Sequence, residues 1–323
     1  MEEIILRVND LKKQYRAKWF RKISALNGLS MTVRRGEIYG FVGENGSGKT
    51  TLMSIVTGRA FQNEGTMELF GKTEPKERIP ELAKIGAVIE SPALYRDMTV
   101  WNNLRAMAIM KGVDENSHIK EILDIIGLTS ERETKAGKLS MGKKQRLGFG
   151  MALVGKPEFL ILDEPTNGMD PRSMMEFRET IQRLNQEHGL TVLISSHMLS
   201  ELDKFATCYG FIKDGKMVEE ISARDLHNKC QTCTTIRTNK DCNTVIALMA
   251  KRYPDYFITK ITKQTMLVFG YNGTEDEIKN LLSDSEVIVE EITIQEGSLE
   301  SYYLYKMEDH DYSESKKNMG IHS

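Results

Sequence analysis

From Ile4 to Val33 the apolar residues alternate and cluster as strands do, and Ala25–Val33 leads into the turn Arg34-Arg35-Gly36-Glu37. Ile38–Val42 is a short apolar run followed by glycine and reads as a buried strand; Thr50–Val56, after a glycine-rich segment, reads as the start of a helix. From Met98 to about Lys156 the period lengthens. Trp101, Leu104, Met107, Ala108 and Met110 are spaced for one buried helix face, and further helices are predicted over Ile119–Ile126 and Lys143–Val154. Strand signals return at Phe159–Leu162, Thr191–Ser195 and Tyr209–Ile212, separated by the amphipathic stretch Ser173–Glu187. This alternation predicts an α/β fold with a largely parallel, covered sheet.

Past Ile221 the pattern changes to strands at Thr234–Thr238, around Ile258–Ile261, at Met266–Phe269 and at Val287–Ile292. Helices are predicted over Cys242–Arg252, Thr274–Leu282 and Ser298–Met307. The expected organisation is an α/β domain over 1–221 with a helical subdomain over about 92–156, a small α+β domain over 222–307, and a polar tail over 308–323 that is expected to be disordered. No internal repeat and no second glycine loop is present in the sequence.

Composition narrows the class. At 323 residues, 40% hydrophobic and 28% charged, the chain has the make-up of a globular protein with a sizeable core. A formal net charge of −2 supplies no global positive field for phosphate backbones, so nucleic acid is not an expected partner. No apolar run reaches the ~18 residues a membrane-spanning helix needs, and Met1-Glu2-Glu3 lacks the basic start of a secretory signal; a soluble, cytoplasmic chain is expected. The four cysteines make no disulfide framework. His227, Cys230, Cys233 and Cys242 have part of a zinc spacing but no second CxxC or HxxxH pair, which leaves zinc or isolated reduced thiols.

The chemistry is concentrated in two segments. Gly43-Glu44-Asn45-Gly46-Ser47-Gly48-Lys49-Thr50 fits GxxxxGK[ST], in which glycines let backbone N–H groups converge on phosphate oxygens at a helix N-terminus. Lys49 would neutralise the β- and γ-phosphates, Thr50 would offer a hydroxyl to Mg²⁺, and Thr51 would extend the phosphate contacts. Phe159-Leu160-Ile161-Leu162-Asp163-Glu164 is an apolar strand ending in two carboxylates. That ending would bring Asp163 to the Mg²⁺ shell and set Glu164 to orient or deprotonate an attacking water. Either segment alone also fits a bland reading, as a glycine turn or as a strand with solvated acids.

Taken in order, these motifs and three more resemble the nucleotide-binding subunit of ABC transporters. Leu139-Ser140-Met141-Gly142-Lys143-Lys144-Gln145-Arg146 resembles that family's signature, usually LSGGQ. Asn167-Gly168-Met169-Asp170 is similar to its D-loop, and His197 in Ser195-Ser196-His197 to its switch histidine. The resemblance implies a P-loop NTPase core of ABC type with a helical subdomain. It also implies ATP and Mg²⁺, and head-to-tail pairing in which Ser140, Met141, Gly142 and Lys143 act on the site of a second subunit. His197 and Glu164 would be catalytic, and Tyr15 would stack on adenine, a contact worth ~1 kcal/mol. For that stacking role Trp19 or Phe20 in the enlarged loop Arg16–Ile23 remain alternatives, as does a plain core tyrosine.

Two departures point to a branch. Where the family usually carries glutamine after a strand, Ile85-Gly86-Ala87-Val88-Ile89-Glu90-Ser91-Pro92 places Glu90, a further candidate Mg²⁺ ligand that adds negative charge to a site already acidic. Glu90 and the single glycine of the signature are similar to the bacitracin and lantibiotic self-protection branch. Ser298-Leu299-Glu300-Ser301-Tyr302-Tyr303 looks like the leucine-glutamate helix that ends several of its members.

The implied function is an ATPase subunit, homodimeric or heterodimeric, peripheral on the cytoplasmic face of the membrane. It would drive a separate permease that docks near Glu90–Tyr95 and exports a peptide antibiotic, with lipid or another drug as the alternative cargo. A soluble ABC-type ATPase acting on ribosomes or nucleic acid is the second reading. It is disfavoured because neither tandem ATPase units nor a long coiled coil is present in the sequence. Phosphoryl transfer to a metabolite would require no signature segment.

Overall fold

The structure is a computed structural model, and it describes residues 3–16, 22–113, 116–230, 233–253, 256–269, 271, 274–281, 287–295, 299–300, 302–303 and 306–307. The chain divides into two compact units, Met1–Glu220 and Ile221–Ser323. The first unit opens with β1 (Ile4–Arg16), β2 (Lys22–Arg34), β3 (Ile38–Val42), α1 (Lys49–Val56) and β4 (Glu64–Leu69). Then come α2 (Pro75–Glu81), β5 (Ile85–Val88), α3 (Val100–Lys111), α4 (Asn116–Ile125) and α5 (Met141–Leu153). It continues through β6 (Phe159–Leu162), α6 (Pro171–His188), β7 (Thr191–Ser196), α7 (Leu199–Leu202) and β8 (Cys208–Lys213), and ends within β9 (Lys216–Ser222).

A six-stranded sheet has the order β5-β6-β7-β3-β8-β9, and its pairs from β5 through β8 are parallel. Every residue of β3, β6 and β7 is buried, which explains their unbroken apolar runs: a parallel sheet is covered on both faces. A second sheet, β2-β1-β4, is antiparallel. One apolar cluster joins Leu6, Val8, Leu29 and Met31 of this sheet to Leu52, Ile55 and Val56 of α1, and to Phe41, Ile161 and Leu193 of the parallel sheet. Burying each such side chain contributes roughly 1.5–3 kcal/mol, and the cluster seats α1 firmly behind the glycine loop.

The helical segment is built as its caps dictate. Thr99 accepts a hydrogen bond from Asn102 N at the start of α3, and Gly112, at φ 69°, ends it. Met110 is not on the buried face: it is 70% exposed. The buried positions are Val100, Asn103, Leu104 and Ala108, and Met110 lies more than half a turn beyond Ala108. Asn103, a residue a hydrophobic count passes over, holds the core position because its side chain ties down the preceding segment. Its Oδ1 accepts from Tyr95 N at 2.9 Å and its Nδ2 donates to the carbonyls of Tyr95 and Thr99 at 3.1 and 2.9 Å.

The second unit contains α8 (Ala223–Lys229), β10 (Cys233–Thr238), α9 (Asn243–Arg252), β11 (Phe257–Lys260), β12 (Thr265–Phe269), α10 (Glu275–Leu281) and β13 (Val289–Gln295). Its sheet runs β11-β12-β10-β13 with antiparallel pairs. After α8 the order is strand, helix, strand, strand, helix, strand, the ferredoxin-like arrangement. Ile236, Val245, Met249, Met266, Val268 and Ile278 form its core, with Tyr253, Tyr256 and Tyr271 in mutual ring contact. Phe269 meets the Tyr302 ring edge-on, with centroids 6.3 Å apart.

Cys230 and Cys242 are buried, and His227 Nδ1 donates to Ala223 O at 2.7 Å. Among the described residues no group of three potential metal ligands converges, and the side chain of Cys233 lies outside the described residues. Trp19, Phe20 and the tail 308–323 also lie outside them.

Candidate nucleotide site at the ends of the parallel strands

β3 delivers the chain into the glycine loop and α1 takes it away, so Gly43–Thr50 joins the end of a buried strand to a helix N-terminus. Two glycines are required by close approach. A Cβ on Gly48, at φ 114°, would stand 2.5 Å from Ala25 O, and one on Gly43 would stand 2.5 Å from Ile212 O. Backbone bonds hold the loop from outside: Gly43 N donates to Ser196 O at 3.3 Å, and Gly215 N donates to Ser47 O at 2.9 Å. A cavity of about 150 Å³ is lined by Ala25, Asn45, Gly46, Lys49, Thr51 and Glu164, among others.

Lys49 is 5% exposed, and its Nζ donates to Gly43 O at 2.5 Å and Glu44 O at 3.2 Å. It also lies 3.3 Å from the buried Glu164 Oε1, an ion-pair contact without hydrogen-bond geometry. The ammonium of the loop and the carboxylate of β6's end are therefore neighbours in space.

The two carboxylates are held differently. Asp163, 3% exposed, accepts from Thr50 Oγ1 on Oδ2 and from Ser195 Oγ on Oδ1, both at 2.6 Å. Glu164 has φ 47°, left-handed for a residue with a Cβ, and its backbone N donates to Ser195 Oγ at 2.9 Å. Its Oε2 lies 2.7 Å from His197 Nδ1, which follows β7. The loop, Asp163, Glu164 and His197 thus meet at the carboxyl ends of β3, β6 and β7, where ligands of open α/β sheets bind.

The other predicted residues sit around this centre. Glu90 lies two residues past β5, exposed, at φ 65°, and Val88 O accepts from Asp163 N at 2.9 Å, so the Glu90 turn leaves the sheet beside Asp163. Ser140 caps α5, accepting from Lys143 N at 3.4 Å, and Lys143 Nζ pairs with Glu131. Met141 and Gly142 pack on the D-loop: Met141 Cγ stands 3.1 Å from a Cβ placed on Gly168, and a Cβ on Gly142 would stand 4.0 Å from Met169. Asp170 caps α6, accepting from Ser173 N at 3.0 Å and Ser173 Oγ at 2.7 Å, bonds that hold its carboxyl below the usual carboxylate range. Tyr15 is 41% exposed, with the Lys13 ammonium 4.9 Å from its ring centroid, and is not among the residues lining the cavity. A groove of about 520 Å³ runs along β5, Ser91–Ala93, Met107 and Gly148.

The donor set suits the groups the sequence implies. Thr50 and Asp163 supply hard oxygens side by side, the kind Mg²⁺ takes in phosphate sites. Ser47 Oγ is buried in the loop without a partner among the described residues, a polar atom available to a phosphate oxygen. In the sequence Ser195 appears only as part of Ser195-Ser196-His197, with no role of its own, although two successive hydroxyls ending a buried strand before His197 are a visible signal.

Residues 26–167 match the family model for ABC transporters. The chain is 34% identical over 300 residues to the bacitracin transport ATP-binding protein BcrA of Bacillus licheniformis, covering 93% of this chain and 96% of that one. The chain belongs to the ABC transporter family. It is 38% identical over 216 residues to the lantibiotic transport ATP-binding protein SrtF of Streptococcus pyogenes, covering 67% of this chain and 90% of that one. Among solved structures, a dimeric ATP-binding cassette in a post-hydrolysis state, bound to ADP and Pi, superposes with a TM-score of 0.62 at 25% identity. That match covers 68% of this chain and 99% of the cassette.

As a member of the family, the chain is an ATP-binding and ATP-hydrolysing subunit with a P-loop NTPase core, similar over nearly its whole length to the bacitracin branch. No described helix is long and apolar enough to cross a membrane.

Proposed function

We propose that this subunit closes head to tail on a second copy around ATP and Mg²⁺, and that closure drives a separate membrane permease exporting a peptide antibiotic. The observation that carries the reading is the convergence of Lys49, Thr50, Asp163, Glu164 and His197 at one loop, with Glu164 3.3 Å from Lys49 and 2.7 Å from His197. Gly43–Thr51 cradles the triphosphate through backbone N–H groups. Thr50 and Asp163, with Glu90 as a third candidate, would hold Mg²⁺, which supplies charge neutralisation as the γ-phosphoryl departs. Glu164 orients and deprotonates the attacking water, and His197 fixes the Glu164 carboxylate while facing the γ-phosphate. Lys49 exchanges its carbonyl contacts for phosphate oxygens as the triphosphate enters.

Ser140, Met141, Gly142 and Lys143, at the start of α5, cover the γ-phosphate of the other subunit, and Asp170 stands at the same face. The contact of Met141 with Gly168 makes signature and D-loop one surface, so one subunit presents both to its partner together. Tyr15 is the proposed adenine platform. The permease docks in the groove of β5, Pro92 and Met107, which places the subunit on the cytoplasmic face of the membrane. The relatives named for bacitracin and lantibiotic transport support peptide antibiotic as cargo.

Co-expression with its membrane partner in a susceptible host tests the cargo. Tolerance to a bacitracin-like or lantibiotic peptide should rise several-fold and be lost with Lys49→Ala. Unchanged tolerance with normal ATP turnover would remove the peptide reading and leave the ATPase.

A further inference from the structure

Two hydroxyls end β7 in succession, and each ties a different part of the Glu164 turn. Ser195 is fully buried, and its single hydroxyl oxygen serves two partners. It donates to Asp163 Oδ1 at 2.6 Å and accepts from Glu164 N at 2.9 Å. Because Thr50 holds the other oxygen of Asp163 at 2.6 Å, that carboxylate is fixed at both ends. Ser196 Oγ donates to Glu201 Oε2 at 2.7 Å, and the same Glu201 oxygen accepts from Thr166 Oγ1 at 2.9 Å. The turn Asp163–Thr166 is thereby pinned to β7 and α7 at its start and at its end.

Between the pins stands Glu164 at φ 47°, a backbone conformation that residues with a Cβ adopt at a cost and keep only where surrounding bonds enforce it. Taking the Ser195 hydroxyl away would leave Asp163 Oδ1 and Glu164 N as buried polar groups without a partner, and the turn would shift to satisfy them. The nucleotide cradle would be spared, since it is built on the backbone of Gly43–Thr51.

We propose that Ser195 is a positioning residue for hydrolysis: one buried hydroxyl sets the Asp163 carboxylate and the Glu164 backbone relative to each other. The proposal rests on the roles given above to Asp163 and Glu164. It assigns Ser195 an effect on metal affinity and turnover, and none on metal-free nucleotide binding.

The test compares Ser195→Ala, Ser195→Thr and wild type for three quantities: steady-state kcat and KM for ATP, Mn²⁺ affinity with a non-hydrolysable ATP analogue, and binding of a fluorescent nucleotide without metal. Outer-shell partners of metal ligands are worth roughly 10–100-fold. S195A should therefore lose roughly tenfold or more in kcat and in Mn²⁺ affinity, with metal-free nucleotide affinity within about twofold, and S195T should restore most of both. Unchanged kcat and Mn²⁺ affinity in S195A would overturn the proposal. So would a loss of kcat that comes with a lower melting temperature, unaltered Mn²⁺ affinity and no rescue by threonine. Should S195A fail to fold, Ser195→Cys, of similar volume but a poor hydrogen-bonding partner, is held to the same criteria. Glu164→Gln run in parallel separates the two readings: an inactive E164Q beside a wild-type-like S195A removes Ser195 alone, whereas an active E164Q removes the role of Glu164 beneath it.

Discussion

His197 Nδ1 lies 2.7 Å from Glu164 Oε2, so with Glu164 ionised the imidazole donates and the carboxylate is steered by a residue 33 positions away. On the other side Lys49 Nζ stands 3.3 Å from Oε1. Glu164→Gln keeps the shape and removes the proposed base. Turnover should fall by roughly 10²–10⁴, the span of a lost general base, while ATP binding persists and an ATP-bound dimer accumulates. Size-exclusion chromatography with ATP and a phosphate-release assay read both outcomes, and normal hydrolysis would sink the assignment.

The parts of this site that were legible in the sequence are local ones. Ile38–Val42, the glycine loop and α1 adjoin in the chain, and Phe159–Leu162 announces itself as a buried strand that must end at Asp163. Ser195 was not legible as a partner of Asp163, because 32 residues separate them and only the parallel register of β6 beside β7 makes them neighbours. The ferredoxin-like order of the second unit was hidden for the same reason: its individual strands were visible, but not their pairing. β4 has glutamate and glycine in its first two positions and little apolar alternation, so it gave no strand signal. Met110 misled because an apolar count scores side chains and not burial: it lies in the last turn of α3 and is exposed, whereas the polar Asn103 is buried.

Ser140 caps α5 and, on the proposed function, also faces the partner's γ-phosphate, and substitution can separate the two. Ser140→Ala removes the cap of α5 and should cost roughly 0.5–2 kcal/mol of stability along with ATPase activity. Ser140→Asp keeps a capping oxygen but sets a negative charge against the partner's γ-phosphate. Its melting temperature should match wild type while ATP-driven dimerisation fails. Equal activity in S140D and wild type would show that Ser140 faces no phosphate.

Glu90 leaves β5 beside Asp163 with a positive φ and an exposed carboxylate. Glu90→Gln removes one negative charge from a site that already holds Asp163 and Glu164. If Glu90 contributes to the metal site, the Mg²⁺ concentration for half-maximal turnover should rise several-fold, with metal-free nucleotide affinity unchanged or tighter. A flat Mg²⁺ dependence between the two proteins would place Glu90 outside the metal's coordination.

Cys208, at the start of β8 beside β3, tests the packing of the parallel sheet. Burial, reinforced by the nearby Glu37 and Glu220 carboxylates, pushes the pKa of its thiol up to about 12, from an ordinary value of 9.0. The thiolate is the reactive form, so native protein at pH 8 should resist alkylation at Cys208, and denatured protein should be labelled fully; peptide mass mapping reads the difference. The same shift has a thermodynamic sign. Between 9.0 and about 12 the folded state keeps a proton that the unfolded chain releases, so stability falls as pH rises through that window. Cys208→Ala removes this contribution. Its melting temperature should decline less steeply than wild type above pH 9, and parallel declines would mean that Cys208 is not shielded as the fold of β8 requires.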